Sequence, residues 1–496
     1  MGNGKVYFVG AGPGDSGLIT LKGRTLIEAA DVILYDRLVN SRLLEHAKAS
    51  CEFVYCGSFP DRHYMRQSEI NALLIEKGLK GLKVVRLKGG DPSVFGRVGE
   101  EAAAVSEHGI PYEMVPGITS GIAAPLYAGL PVTHRDFASS FAVVTAHDKS
   151  GKPEMNWEGL AKGVQTLVFY MGIKNLGYIC EQLMKHGKSP LVPAMAIQWG
   201  TWGRQRSVKG TLQNIREKIT EHQIKNPAII VIGDIVSFRQ NSWFEEKPLI
   251  GLNIMAVKSC EEEQIPVEAL REQGAEVVEW PKWKSAETVP DDALLGRIAC
   301  FDSLLFTSSA SLRRFFSRLA ALKIDVREMR GRLYASDQHV KAALEERGFE
   351  AFLQTEMPVS GSCLLIGSRE AVQNYPHSGC EVLITHDRVI DSRFTSIIKR
   401  EIDEFPIDIV LFSNRTCVEL FVNEAETVGL HPEKTAARLQ AFCLTEEAGE
   451  RAAAVGFQRV HAVNDRDRLP DVIKEINRTA EFVCQKLKKA GGTLLF

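Results

Sequence analysis

The ten cysteines never fall at the Cys-x-x-Cys spacing of structural zinc sites and dithiol redox centres; the closest pair is Cys51 and Cys56. No metal is therefore expected, and reduced thiols fit best. An excess of one charge is also missing. Lys and Arg number 60 against 62 Asp and Glu, a formal net charge of −2, which removes any bulk electrostatic reason to expect a nucleic-acid partner. Long hydrophobic runs are absent too: stretches such as Ala228 to Ile232 are strand-length, far below the roughly 20 residues that span a bilayer. No membrane association is expected. The first residues read as a strand, Lys5-Val6-Tyr7-Phe8-Val9-Gly10, rather than an export signal. Val6 stands where N-myristoylation wants Ser or Thr. A cytoplasmic location follows as the expectation. Finally, no strand is followed by Gly-x-Gly-x-x-Gly, which argues against a dinucleotide-binding domain.

What is present is ordinary globular composition, 45% hydrophobic and 25% charged, spread over 496 residues. That length exceeds what one core fills, so at least two domains are expected. From Lys5 to about Pro248 short apolar strands alternate with amphipathic stretches, the pattern of an α/β domain with a mainly parallel sheet. Candidate strands are Val6–Val9, Val32–Tyr35, Val84–Leu87, Phe141–Thr145, Thr166–Tyr170, Ala194–Gln198 and Ala228–Ile232. Seven strands in this span suggest two subdomains, about 1–116 and 117–247, hinged at Val115-Pro116-Gly117-Ile118-Thr119-Ser120-Gly121. A polar stretch with Pro248 and Gly251 places the main boundary near Lys247.

Residues 248–496 carry an internal repeat. Leu305-Phe306-Thr307-Ser308 with Leu312 and Phe315 recurs at the same spacing as Leu411-Phe412-Ser413-Asn414 with Val418 and Phe421. Leu344, Gly348 and Phe349 are echoed by Ala452, Gly456 and Phe457. Two similar α/β lobes are predicted, one from about 249–284 plus 389–496 and the other from about 285–388.

Two glycine turns carry the chemical signal. Gly10-Ala11-Gly12-Pro13-Gly14-Asp15 follows the first strand, where small residues let the backbone approach a ligand. Pro13 removes a phosphate-binding amide, and Asp15 occupies the place of a third glycine. The second turn, Lys88-Gly89-Gly90-Asp91-Pro92-Ser93-Val94-Phe95-Gly96-Arg97, follows Val84–Leu87 and runs into a helix around Glu100–Val105. Asp91 could accept hydrogen bonds from a ligand amine or ribose, and Arg97 could pair with a carboxylate. Equally, Asp91 before Pro92 could simply cap a helix.

Together with Tyr35-Asp36-Arg37-Leu38-Val39, Pro131-Val132-Thr133-His134-Arg135, Tyr170-Met171-Gly172 and Gln198-Trp199-Gly200-Thr201, these stretches resemble the tetrapyrrole methyltransferase family, most closely its uroporphyrinogen-III C-methyltransferase members. The resemblance runs through the first half. It implies a two-subdomain fold, a homodimer formed through this domain, and S-adenosylmethionine held by residues matching Pro13, Gly89, Gly90, Asp91, Val94, Thr119, Ser120, Met171 and Gly200. The implied reaction is methylation of uroporphyrinogen III at C2 and C7 to precorrin-2, for siroheme or cobalamin synthesis. Asp36 occupies the place the family gives to the base. Ser58 stands where the family has a lysine proton donor; Arg62, His63 or water could replace it, or the donor is dispensable. A substrate with many carboxylates needs local cations, and Arg37, Arg62, Arg66, Arg97, His134 and Arg135 are candidates, although some will be solvated surface charge.

The second half resembles uroporphyrinogen-III synthase through Phe306-Thr307-Ser308, Leu364-Leu365-Ile366-Gly367 and the duplicated layout. That implies closure of hydroxymethylbilane, with Thr307, Ser308, Ser413 and Asn414 at substrate-facing strand ends; turn capping explains these residues equally well. The family's later glycine turns are replaced by Ala335-Ser336-Asp337-Gln338 and Leu444-Thr445-Glu446-Glu447, whose acidic pair should repel a polyanion. Three readings therefore stand beside one another: a bifunctional enzyme, a methyltransferase carrying a degenerate binding module, and an RNA or protein methyltransferase of the same fold.

Overall fold

The computed structural model describes residues 4–59, 62–63, 65–146, 153–239, 241–260, 263, 265–288, 291–357, 361–373, 379–463 and 476. The first sheet has the strand order Glu52–Tyr55, Val32–Tyr35, Lys83–Lys88, Lys5–Gly10, Tyr112–Val115. Neighbouring strands in it all run parallel. Val32–Tyr35 is buried throughout and Lys83–Lys88 from Val84 onward, the signature of strands covered on both faces. Helices Gln67–Leu79 and Val98–Glu107 supply one cover, packing Ile70, Leu74, Val98, Ala102 and Val105 against Val6, Phe8, Val32, Leu34 and Val84.

The second sheet runs Arg206–Thr211, Pro193–Gln198, Ala228–Ile232, Thr166–Tyr170, Phe141–Thr145. Three of its four pairings are antiparallel and only Phe141–Thr145 with Thr166–Tyr170 is parallel. The expectation of a mainly parallel sheet thus holds for the first sheet and is corrected for the second. The connection Pro116–Thr119 leads from the last strand of the first sheet into helix Ser120–Tyr127, which Thr119 precedes as its N-terminal flanking residue.

The second half contributes two further sheets. One has the order Glu276–Trp280, Asn253–Val257, Ile409–Phe412, Gln440–Cys443, Arg459–Ala462, and the last four strands are parallel. The other has the order Trp283–Glu287, Glu381–Ile390, Cys363–Ser368, Ser303–Phe306, Arg332–Ala335, Ala351–Leu353, antiparallel only at Trp283–Glu287. The repeat motifs sit at equivalent places. Ser308 caps helix Ser309–Leu322 by accepting from Ser311 N, and Asn414 caps Arg415–Glu424 by accepting from Cys417 N. The described residues pack into two compact bodies, those within 1–257, 265–279 and 397–496, and those within 258–264 and 280–396. Among the described residues no helix is long and apolar enough to cross a membrane.

Candidate functional site

Parallel strands of the first sheet all deliver their loops to one end, the place where open α/β sheets bind ligands. There the glycine turns meet. Gly12 and Gly90 exchange backbone hydrogen bonds, Gly90 N to Gly12 O at 2.7 Å and Gly12 N to Gly90 O at 3.2 Å. A Cβ on Gly117 would lie 2.3 Å from Gly90 O and 2.8 Å from the Gly10 Cα. The Gly10 and Gly117 loops can approach this closely only because neither carries a side chain at the crossing. Gly200 is packed the same way, its hypothetical Cβ 2.2 Å from the Ala124 Cβ.

Above this floor lies a cavity of about 740 Å³. Its wall includes every residue that the sequence nominated for the cofactor: Pro13, Gly89, Gly90, Asp91, Val94, Thr119, Ser120, Met171 and Gly200. Four wall residues other than glycine, Phe95, Arg97, Met171 and Trp199, have positive φ between 49° and 57°. Backbone strain of this kind concentrates where a ligand must be met in a fixed way. Asp91 is not a helix cap, since Arg97 flanks helix Val98–Glu107. One Asp91 carboxylate oxygen accepts from Ser93 N and Oγ at 2.7 and 2.5 Å, and the other accepts from Gly117 N at 3.0 Å. Asp91 therefore ties the second glycine turn to the Pro116–Thr119 connection.

Asp36 also lines the cavity, directly after strand Val32–Tyr35, and accepts a hydrogen bond from Arg86 Nη2 at 2.6 Å. Arg86 is buried and leads into a buried network. Glu101, fully buried, accepts from Lys88 Nζ at 2.8 Å and Gln67 Nε2 at 3.0 Å, with Arg86 Nε 3.4 Å away. Burial, followed by the charge of Arg86, lowers the Lys88 pKa, with Asp36 and Glu101 opposing. Burial also works against the Arg86 guanidinium, but Asp36 and Glu101 more than offset it and its pKa is raised. Both cations line the cavity. Sequence reasoning passed over Arg86, Lys88 and Glu101, although two cations alternating through the apolar strand Lys83–Lys88 were the available signal.

Arg37, Arg66 and Arg97 complete the set of cations on the wall. Arg37 is ion-paired with Glu404 at 2.5 Å, and Arg97 with Glu100 at 2.5 Å. His134 and Arg135 are not on this wall. His134 tilts against Phe238 with centroids 4.4 Å apart, and Arg135 is exposed. Ser58 and Arg62–His63 form a short antiparallel strand pair, but their side chains lie outside the described residues. Thr307 donates to Ile366 O at 3.3 Å, Ser308 serves as a helix cap, and Ser413 is buried with its hydroxyl 3.2 Å from the Cys417 sulfur. None of these three lines the cavity.

The model of the tetrapyrrole (corrin/porphyrin) methylases matches residues 5–216, the span that supplies most of this wall, and that is the class which fold and site define. A uroporphyrinogen-III C-methyltransferase of Bacillus subtilis is 56% identical over 95% of this chain and 96% of its own length. The chain belongs to the uroporphyrinogen-III C-methyltransferase family. A porphyrin biosynthesis protein HemD of Ruminiclostridium josui is 32% identical over 96% of this chain and 99% of its own. Among solved structures, a uroporphyrin-III C-methyl transferase from Thermus thermophilus complexed with S-adenyl homocysteine is 38% identical, covers 47% of this chain and 100% of that one, and has a TM-score of 0.41.

Proposed function

We propose that the first half methylates uroporphyrinogen III twice, at C2 and C7, to give precorrin-2, with S-adenosylmethionine as donor. The observation that carries this reading is the convergence of nine nominated cofactor residues, Asp36 and five cations on one cavity, in a chain 56% identical to a uroporphyrinogen-III C-methyltransferase. The cavity fits the donor. Its glycine floor leaves backbone polar groups accessible, and Gly90 has no atom closer than 3.9 Å to a hypothetical Cβ. Met171, 45% exposed, offers a soft apolar surface to the ligand.

When bound, the donor supplies an electrophilic methyl whose bond to sulfur breaks as the bond to a pyrrole carbon forms. Each transfer then releases one proton from the macrocycle, so the balance calls for a proton acceptor and alignment, not for a donor. In this reading Asp36, held by Arg86 at 2.6 Å, is that acceptor. A serine at position 58 is compatible with this balance. In the same reading Arg37, Arg66 and Arg97, cations on the cavity wall, meet substrate carboxylates. The resemblance to the family implies a dimer formed through this domain, and we carry that over together with a cytoplasmic location.

For the second half we infer uroporphyrinogen-III synthase activity, closing hydroxymethylbilane to the substrate of the first half. Its support is the full-length likeness to a protein named HemD and the duplicated strand, cap and helix units. The test is anaerobic incubation of the purified protein with S-adenosylmethionine and uroporphyrinogen III, followed by product mass and dipyrrocorphin absorbance. Two methyl additions are expected. Donor binding without transfer would overturn the substrate assignment. Replacing uroporphyrinogen III by hydroxymethylbilane tests the second half: methylated product forms at the enzymatic rate only if that half closes the ring.

A further inference from the structure

The loop that carries Asp36 is gripped from outside the first half. Tyr35, the residue before it, accepts a hydrogen bond from Arg400 Nη2 at 2.6 Å. The same guanidinium lies over the Tyr55 ring, 4.0 Å from its centroid, and Tyr55 tilts against Tyr35 at 5.4 Å. Arg37, the residue after Asp36, is ion-paired with Glu404. Further along the loop Ser41 donates to Glu401, and Arg42 pairs with Glu268 at 2.9 Å. Arg400, Glu401 and Glu404 all belong to helix Thr395–Glu404.

The contact also reaches a second stretch of the cavity wall. Phe405, just past that helix, packs edge-on against Trp199 at 5.2 Å, and the Arg204 guanidinium lies 3.6 Å from the Trp199 ring. Trp199 immediately precedes Gly200, and both line the cavity. All of these residues lie in one compact body. Tyr35 is 5% exposed and Arg37 has 17% of its side chain exposed, so the grip is largely shielded from water and from salt.

Building on the methylation reading, we propose that helix Thr395–Glu404 is a positioning element of the methylation site: Arg400 and Glu404 hold the residues on either side of Asp36 and so fix where its carboxylate meets the substrate. The second half then contributes to the first half's chemistry without touching substrate or donor. Positional control of this kind acts on turnover, because the aligned arrangement matters most in the transition state.

The test uses the full chain and measures methyl transfer to uroporphyrinogen III. Arg400→Met is expected to lower kcat roughly five- to fiftyfold, with KM for uroporphyrinogen III and affinity for S-adenosylhomocysteine within about twofold of wild type. Arg400→Lys, which keeps a cationic donor near Tyr35, should recover part of the loss. Tyr35→Phe should reproduce most of it, and adding it to Arg400→Met should cost little more, since both changes remove one contact. Unchanged kcat in folded Arg400→Met protein would overturn the proposal. So would a loss fully accounted for by a smaller folded fraction, measured by thermal melting and donor titration. If the wild-type chain does not methylate uroporphyrinogen III at all, the methylation reading fails instead.

Discussion

Glu101 is the residue on which the site's buried charges depend. It is completely buried, and its carboxylate faces Lys88, Arg86 and Gln67. Glu101→Gln keeps the shape and removes the charge, leaving two buried cations with only Asp36 between them. Uncompensated buried charge costs about 3–5 kcal/mol, so the urea midpoint should fall steeply, and methyl transfer should fall with it as Arg86 loses its place beside Asp36. A midpoint unchanged within error would remove Glu101 from this role. The network also shows where sequence reading reaches. Asp36 follows a strand end, Ser120 opens a helix and the other cofactor residues stand in loops, and it was the motifs of the family resemblance that singled them out. Arg86, Lys88 and Glu101 sit inside regular elements. Their partners are 13 to 50 residues away in the chain, brought together by the parallel register of Val32–Tyr35 with Lys83–Lys88 and by the packing of helix Val98–Glu107 on that sheet.

At the scale of elements, fully buried strands were legible and the polar edge strands were not, although the edge strand Phe141–Thr145 was. Val32–Tyr35 and Ala228–Ile232 are continuous apolar runs, buried throughout. Arg206–Thr211, with a single buried residue, reads as a polar loop, and Tyr112–Val115 is exposed at two of its four positions. Missing Arg206–Thr211 hides the pair of chain neighbours it forms with Pro193–Gln198, one of the three antiparallel pairings of the second sheet. The strand-end Ser and Thr residues of the second half lent themselves to two explanations, and the caps at Ser308 and Asn414 supply the structural one. Asn414→Ala should cost about 1 kcal/mol of stability, read as a drop in melting temperature, while ring closure of hydroxymethylbilane by the remaining folded protein stays near wild type. A larger loss of ring closure than of folded protein would give Asn414 a part in substrate binding.

At the scale of the whole molecule, the two compact bodies should answer differently to acid. His386, in the body of residues 258–264 and 280–396, is 2% exposed. Burial, aided by Arg314, Arg388 and Arg313 and opposed by Asp387, pushes its pKa down from 6.5 to about 4. A histidine held neutral in the fold gives its stability above the unfolded value of 6.5, and that stability is lost as pH falls toward 4. A tenfold weaker hold on the proton corresponds to about 1.4 kcal/mol, so this body should lose roughly 3 kcal/mol across that window. Hydrogen exchange should therefore show its core strands, Ser303–Phe306 and Cys363–Ser368, opening earlier on acidification than Val32–Tyr35. His386→Asn should flatten the difference; parallel pH curves for the two proteins would remove His386 as the cause.

The division of the chain between these bodies has a consequence for biosynthesis. Strand Asn253–Val257 pairs with Ile409–Phe412, yet residues 280–396 are translated in between and belong to the other body. On the ribosome, the sheets of residues 5–232 and then the body of 280–396 can assemble as each emerges, whereas Asn253–Val257 must wait for a partner that is made later. For that interval the strand edge that will take Ile409–Phe412 is uncovered, while its other edge already has Glu276–Trp280. The nascent chain is then most open to chaperone capture, and a pause in translation placed after residue 280 would lengthen that exposure.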